Sequence, residues 1–579
     1  MIGTRSARRL SNGTVVDLSR PISFRFNGKH YTGYQGDTLA SALLANGVDV
    51  VGRSFKYARP RGIVGHGAEE PNAVVQLGTG ARTVPNVKAT QIALYDGLEA
   101  SSVSGWPSVN FDLMSVIGLF GRLMPPGFYY KTFMFPARLW MTYERLIRKA
   151  AGLGKTPTVA DPDHYDKLNQ HCEILVIGGG PAGIMAAIAA SDSEARVILV
   201  DEQEQLGGSL LASDHMIAGI SGPEWIQSSL DILASRQNVQ VLSRSTAFGY
   251  YDHNFVAVHE RLTDHLAMPS SQPRQRVHRI RAQRVIFATG AFERPLVFAH
   301  NDVPGVMTAS SISTYLKRYG VMPGQVLAVC TATDSGYQAA IDWVSCGGEV
   351  AGVFDTRSNP NGALYQRALM MGIEVRPQHA IIEAKGKKRV KSALIARLAD
   401  CGDRVIGAAQ TIKCDTIATS GGWSPAIHLA SHTGRKPTWD ETALGFTVTT
   451  PPPGTRMIGA CNGAYRTAAC FDQAINVASE LLTELGFPTK DWRPEIPDVD
   501  EPESDVSQGL FLIPHLASTS RAPSQFVDFQ LDVTAGAIEL AAREGFESVE
   551  HVKRYTALGF GTDQGKLSNI NGVGILARA

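Results

Sequence analysis

The chain has 579 residues, 44% of them hydrophobic, with 55 lysines and arginines set against 54 acidic side chains. That length exceeds one ordinary domain and supplies ample core without disulfide staples. A net charge of +1 gives no electrostatic footprint for nucleic acid or an anionic membrane, and the composition excludes fibrous and broadly disordered classes. A folded α/β protein is expected.

The first ten residues are basic, but polar Ser11-Asn12-Gly13 follows where a secretory signal needs an apolar core, so the expected location is cytoplasmic. Residues 1–110 read as a small β-rich module. Ile22-Ser-Phe-Arg-Phe26 alternates apolar with polar, Asn27-Gly28 offers a two-residue turn, and a second strand starts at His30-Tyr31. Asp37-Thr38 then caps an Ala/Leu-rich helix that ends at Asn46-Gly47. A hairpin followed by a crossing helix opens a β-grasp fold. The loop Arg53-Ser-Phe-Lys-Tyr-Ala-Arg-Pro-Arg61 sets four cations among two aromatics. Lys56, Arg59 and Arg61 are its candidates for a flavin phosphate or a partner surface, against the alternative of a solvated loop. His66 is read as a loop histidine, and no metal site is expected.

Residues 111–168 predict a helical, aromatic connector closed by Gly152 and Gly154. Its most apolar stretch, from Phe111 to Trp140, is interrupted by Arg122, Pro125, Pro126, Lys131 and Arg138. It is too broken to span a membrane, and a buried or interfacial helix pair is expected.

Residues 169–485 alternate buried strands with helices, the pattern of parallel sheet. The first unit is expected over 170–295 and 410–485, with a second inserted over 296–409. Ile174-Leu-Val-Ile177 runs directly into Gly178-Gly-Gly180-Pro181-Ala182-Gly183 and then the helix former Ile184-Met-Ala-Ala-Ile-Ala-Ala190. This is the dinucleotide fingerprint in its required context, strand before and helix after. Gly178 makes the turn, Gly180 admits a pyrophosphate, and Gly183 allows close helix–strand contact. The strand Val197-Ile-Leu-Val200 ends in Asp201, placed for an adenosine ribose. Gly207 and Gly208, and Thr289 and Gly290 in Ala288-Thr-Gly290, continue the pattern of flavoproteins with two dinucleotide domains. In the second unit Thr331 and Thr333 fill the first two glycine positions, with Gly336 at the third and Asp355 ending the next strand. That unit reads as retained scaffold more than as a nicotinamide pocket. Flavin-binding members carry Gly-Asp in a third signature; here Met457-Ile-Gly-Ala-Cys-Asn-Gly463 has no aspartate. NAD is therefore favoured over FAD.

The seven cysteines fall at 172, 330, 346, 401, 414, 461 and 470, none three or five apart, so no local redox pair is expected. Cys461 and Cys470 are read as structural thiols. An acidic, proline-rich linker covers 486–508. Residues 509–579 form a small helical domain, with amphipathic segments at 533–544 and 548–558.

Further stretches are more specific than the glycine fingerprint: Ser54-Phe-Lys-Tyr-Ala-Arg-Pro-Arg-Gly62, Glu69-Glu-Pro-Asn72, Gly127-Phe-Tyr-Tyr-Lys-Thr-Phe133, Phe526-Val-Asp-Phe-Gln530, Val549-Glu-His-Val-Lys-Arg-Tyr555 and Thr562-Asp-Gln-Gly-Lys566. With them, essentially the whole chain resembles the α subunit of heterotetrameric sarcosine oxidase. The resemblance implies a core of two dinucleotide-binding, Rossmann-like units behind a β-grasp ferredoxin-like module. It also implies a complex with β, γ and δ subunits that oxidises sarcosine to glycine and yields hydrogen peroxide. FAD would sit in the flavoprotein β subunit and FMN at the α–β interface. NAD would sit in this chain on Gly178, Gly180, Gly183 and Asp201, flanked by Pro181 and Ala182. No catalytic residue is assigned here, and the chain alone is expected to be inactive. Tetrahydrofolate would bind an aminomethyltransferase-like domain expected to be missing. The tail bearing Ile570, Val573, Ile575 and Leu576 is then expected to be poorly anchored. The N-terminal module looks like a 2Fe–2S ferredoxin domain, yet residues 1–171 hold no cysteine, so no cluster is expected. The alternatives are an electron-transfer subunit of an amino-acid or opine dehydrogenase, and a non-catalytic scaffold.

Overall fold

The computed structural model describes residues 8–116, 118, 126, 135–150, 152–267, 271–487, 495–503 and 507–579. The stretch Gly127–Phe133 and most of the apolar connector lie outside them. The chain divides into two compact units. One comprises Met1–Pro162, Glu293–Gly422 and Glu503–Ala579, the other Asp163–Phe292 and Trp423–Pro502.

In the first unit the N-terminal module is a five-stranded sheet. Its strands run in the order Lys29–Gln35, Asp17–Phe26, Leu98–Ser102, Val74–Leu77, Val84–Lys88. Asn27 and Gly28 both take positive φ, which is what a two-residue hairpin turn demands. Ile22, Phe24 and Phe26 point inward as their period-2 spacing requires. They meet the helix Leu39–Ala45, which is buried on every residue. Thr38 caps that helix: its hydroxyl accepts the Ser41 N–H, and the Ser41 hydroxyl accepts the Thr38 N–H.

The inserted dinucleotide unit belongs to the same body. Its parallel sheet runs Val306–Thr308, Thr416–Ser420, Val326–Thr331, Glu349–Asp355, Val375–Pro377. One apolar cluster joins Phe24, Phe26 and Leu43 of the N-terminal module to Leu327, Val329, Tyr337 and Trp343 of the inserted unit. An antiparallel meander, His379–Gly386, Val390–Leu398 and Val405–Lys413, packs Ile381 and Ile395 into one apolar cluster with Leu296, Ala328 and Ile417.

The C-terminal segment departs from expectation. Its tail forms the helix Asn569–Arg578, and Ile575 shares a core with Ile538, Val552, Leu558, Val297 and Leu512. Asn571 donates to the Pro295 carbonyl at 2.8 Å. The helices Ala535–Arg543 and Val549–Thr556 supply the apolar surface that the sequence alone did not reveal as a partner.

The second unit is built on one sheet, ordered Val239–Leu242, Val197–Val200, Tyr165–Ile177, Gln275–Phe287, Phe255–Arg261, Ser245–Tyr251. The first four strands are mutually parallel, and Thr455–Met457 joins parallel beside Gln275–Phe287. The last two form an antiparallel extension. Helices Pro181–Ser191, Gly222–Ser235 and Thr467–Glu484 cover the sheet through a core around Ile174, Val176, Ala186 and Phe471. Part of the acidic linker is ordered: Val499–Asp500 pairs with Met216–Ile217, and Glu501 accepts the Thr467 N–H at 2.7 Å. Among the described residues no helix is long and apolar enough to cross a membrane.

Candidate functional site

The glycine loop sits at the end of the strand Tyr165–Ile177, in the second unit, and each glycine there has a different reason. Gly178 turns at φ +108°, and a Cβ on it would lie 2.2 Å from the Ala288 carbonyl oxygen. Its N–H donates to the Val200 carbonyl, tying the turn to the neighbouring strand. A Cβ on Gly183 would lie 1.8 Å from the Gly178 carbonyl oxygen, so helix and strand meet there without room for a methyl group. Gly180 is unlike both. Its φ of −76° and ψ of −174° suit any residue, and a Cβ there would meet nothing within 4 Å. The fold does not require this glycine; free space in front of the loop is what a side chain would cost.

Gly180 is also the N-cap of the helix Pro181–Ser191, with Pro181 at its first turn and no side chain capping the N–H groups. An uncapped helix start facing open space suits an anion, by the helix dipole and the free donors together. Asp201 lies across the loop. Its Oδ2 accepts the Gly179 N–H at 2.6 Å and its Oδ1 the Gln203 N–H at 2.7 Å. These bonds hold the carboxylate against the glycine loop, at the end of the strand Val197–Val200. Gly207 and Gly208 take φ of +126° and +53° and bring the next loop within 3.0 Å of the Gly180 Cα, measured from a Cβ on Gly208. The Gly207 N–H donates to the Gly179 carbonyl at 2.7 Å. Ala182 is buried at the helix start. Thr289 donates its hydroxyl to the Ala426 carbonyl at 2.6 Å, and the Gly290 carbonyl accepts the Ala426 N–H. The structure therefore gathers Gly178, Gly180, Pro181, Ala182, Gly183, Asp201, Gly207, Gly208, Thr289 and Gly290 into one unit, in one set of adjoining loops.

Sequence reasoning read Gly459 only for the aspartate missing after it, and missed Gln473. Gly459, at φ +72°, has its Cβ direction 2.9 Å from the Ala182 methyl, and its N–H donates to the Gln473 side chain at 2.9 Å. Gln473 thus fixes the turn where the flavin-type aspartate would stand. Its only signal was a polar residue on the inner face of a helix. Cys461 and Cys470 are buried in the same region, with Cys461 bonded to the Phe287 and Ile458 carbonyls and Cys470 to that of Ala464. Burial pushes the Cys470 thiol up to about 12.

The second dinucleotide unit, in the other body, is closed by its own side chains. Asp355 is fully buried and accepts from the Tyr337 hydroxyl at 2.6 Å and from Arg357 at 2.8 Å. Arg357 bridges on to Asp334 at 2.9 Å. The Thr331 hydroxyl is turned inward to the Thr333 carbonyl, and Thr333 bonds Ser420.

The basic loop turns inward as well, which corrects the expectation for Arg61. Its side chain is 2% exposed and bridges Asp302 and Asp532, while its Nε donates to the Phe529 carbonyl. Arg59 grips Asp302 with two bonds of 2.6 and 2.8 Å, and the Lys56 and Tyr57 N–H groups both donate to Asp532. Buried carboxylates demand cations, and Asp302 and Asp532 lie 241 and 471 positions from Arg61 in sequence, invisible to local pattern. Burial lowers the Lys56 amine to about 8. His66, as expected, lies in a loop; its Nδ1 is 3.1 Å from the Ser311 hydroxyl. Among the described residues no cluster suited to a metal ion is found.

Comparison with known proteins places this geometry. A family model described as pyridine nucleotide-disulphide oxidoreductase matches residues 172–468. A 2Fe-2S iron-sulfur cluster binding domain matches 19–105, and a sarcosine oxidase A3 domain matches 522–579. Sarcosine oxidase subunit alpha of Rhizobium meliloti (strain 1021) is 44% identical over 577 residues, 99% of this chain and 56% of the relative. The same subunit of Corynebacterium sp. (strain U-96) is 33% identical, over 98% of this chain and 54% of the relative. The resemblance read from the sequence is thereby shown, and the chain spans about half the length of these relatives. L-proline dehydrogenase from P. horikoshii shares the fold, with a TM-score of 0.66, 17% identity, and 99% and 94% of the two chains covered.

Proposed function

The chain belongs to the pyridine nucleotide-disulphide oxidoreductase family, and from that premise we propose that it is the nucleotide-binding subunit of a sarcosine-oxidase-type complex. Gly178, Gly180, Gly183 and the uncapped helix start would hold the pyrophosphate of an adenine dinucleotide, and Asp201 its ribose. The observation that carries this reading is Gly180: a residue of unstrained conformation, kept free of a Cβ beside open space. NAD is the proposed occupant ahead of FAD, because Ala460 follows Gly459 where a flavin-binding relative would offer an aspartate. Bound there, the dinucleotide would supply a nicotinamide or, if FAD, a flavin. This chain's residues bind and orient it; none of them is assigned a chemical step.

The oxidation of sarcosine to glycine, with oxygen as acceptor, is proposed for the whole complex and for no part of this chain alone. Its FAD would lie in a β subunit, its FMN at the interface with that subunit, and γ and δ subunits would complete it in the cytoplasm. Of the basic loop, the part-exposed Arg59 and Lys56 are the remaining candidates for the flavin phosphate or the partner.

Two measurements test the reading. Acid release followed by mass spectrometry should give one adenine dinucleotide per purified chain, and coexpression with a β subunit should yield a stable, amine-oxidising complex. Release of no nucleotide, together with no binding of NAD or FAD in titration, would sink the nucleotide assignment.

A further inference from the structure

The N-terminal module matches a domain family described by its 2Fe–2S cluster, and such clusters are held by cysteine thiolates. The donor set here does not fit: the first cysteine of the chain is Cys172. The loop between the helix Leu39–Ala45 and the strand Val74–Leu77 shows what stands in that module instead. Glu70 is fully buried in it. Its Oε2 accepts the N–H groups of Val64 at 2.8 Å and Gly65 at 2.6 Å. Its Oε1 accepts those of Asn72 at 2.6 Å and Ala73 at 2.9 Å. One carboxylate thus gathers four backbone donors from the two ends of a ten-residue loop.

Glu69 does the same for the loop's tip, its Oε1 accepting from His66 at 2.7 Å and Gly67 at 3.0 Å. The glycines are placed for this. A Cβ on Gly65 would come 2.6 Å from one Glu69 oxygen, and a Cβ on Gly67 2.8 Å from the other. Successive backbone N–H groups converging on one point make an anion-binding concavity, the kind of nest that cradles phosphates and iron–sulfur clusters. Here the concavity is filled from within.

We infer that the Glu70 carboxyl is the resident acceptor of this loop, serving as the positioning residue around which a redox-silent module is organised. Its downstream use is visible. The loop so held presents the Pro71 carbonyl to the Gln530 side chain at 2.6 Å, and the Asn72 side chain to the Gly62 carbonyl at 2.9 Å. Gln530 bonds Thr562 in turn. Glu70 therefore fixes the surface on which the residues around Gln530 dock, in place of carrying electrons. The stretches Glu69–Asn72, Phe526–Gln530 and Thr562–Lys566, separate in sequence, meet here.

The test uses the full chain with Glu70→Gln, which keeps shape but turns one accepting oxygen into a donor amide, and Glu70→Asp, which keeps both accepting oxygens and shortens the reach. Hydrogen exchange should be at least tenfold faster at Val64, Gly65, Asn72 and Ala73 in Glu70→Gln, with loosening carried to the segment around Gln530. Protection over the glycine loop at 178–184 should not change, which separates this result from any failure of nucleotide binding. Glu70→Asp should fall between. Wild-type exchange at all four amides in Glu70→Gln would overturn the inference. So would a cluster absorbance and stoichiometric iron retained by the unaltered chain after anaerobic reconstitution with ferrous iron and sulfide. If Glu70→Gln does not fold, the same exchange rates in Glu70→Asp decide the matter.

Discussion

Gly180→Val isolates the ligand's demand on the glycine loop from the fold's own. Its backbone, at φ −76° and ψ −174°, is extended and open to a branched residue, and the added carbons meet nothing within 4 Å at the Cβ. The free chain should tolerate the change, losing only the modest advantage of glycine over valine at an N-cap. A bound pyrophosphate would instead be pushed off the helix start. Losing two charge-assisted bonds, each worth about 1.5–3 kcal/mol, removes roughly 3–6 kcal/mol of binding, or about 10²- to 10⁴-fold in affinity. Calorimetric titration with NAD and with FAD, beside thermal unfolding of the nucleotide-free protein, reads both quantities. Gly183→Val is the contrasting control, since its Cβ would stand 1.8 Å from the Gly178 carbonyl oxygen and must disturb the fold itself. Undiminished binding by Gly180→Val, with either dinucleotide, would refute the assignment of the loop.

Three other outcomes are expected. Arg61→Ala should lower stability strongly, by about 3–5 kcal/mol, because it leaves buried Asp532 with backbone donors but without the Arg61 guanidinium and Asp302 without one of its two arginines; a loss below about 1 kcal/mol in denaturant titration would show that the network is dispensable. Burial pushes Glu293 up to about 7, above the 4.5 of a free glutamate, so the folded chain holds that proton more tightly than the unfolded one. The stability this confers is full below pH 4.5 and is lost as pH rises through 7, about 3 kcal/mol in all, and Glu293→Gln should flatten that part of the pH–stability curve; an unchanged slope would exclude Glu293 as its source. Under native conditions a thiol reagent should label the exposed Cys401 fast and Cys172, Cys330, Cys414 and Cys470 slowly, since burial pushes those four up to about 12; equal labelling rates would contradict the buried placement.

What the sequence made legible follows from how far apart the cooperating residues lie. The glycine loop, its strand and Asp201 occupy one continuous run of about thirty residues, so spacing alone could place them, and the hairpin at Asn27-Gly28 is local in the same sense. The inward turn of the basic loop depends on Asp302 and Asp532, which no window of sequence brings beside Arg61. The anchoring of Ile575 likewise depends on a core shared with Val297 and Leu512, and a tail read by itself shows apolar residues without their partners. Glu70 is the sharper case. Its neighbours in sequence donate to it, so the contacts are local, yet adjacent glutamates read as a solvated pair unless the backbone is known to curl around one of them. Four N–H groups on one carboxylate is a property of dihedral angles rather than of residue types. The same distinction bears on the second dinucleotide unit. Thr331 and Thr333 in glycine positions already argued against a close phosphate, but only the structure shows Arg357 spanning Asp355 and Asp334. A ribose seeking Asp355 would have to displace a guanidinium that is itself buried and doubly paired, at a cost that the turn's few donors, already spent on Thr331 and Ser420, do not offset.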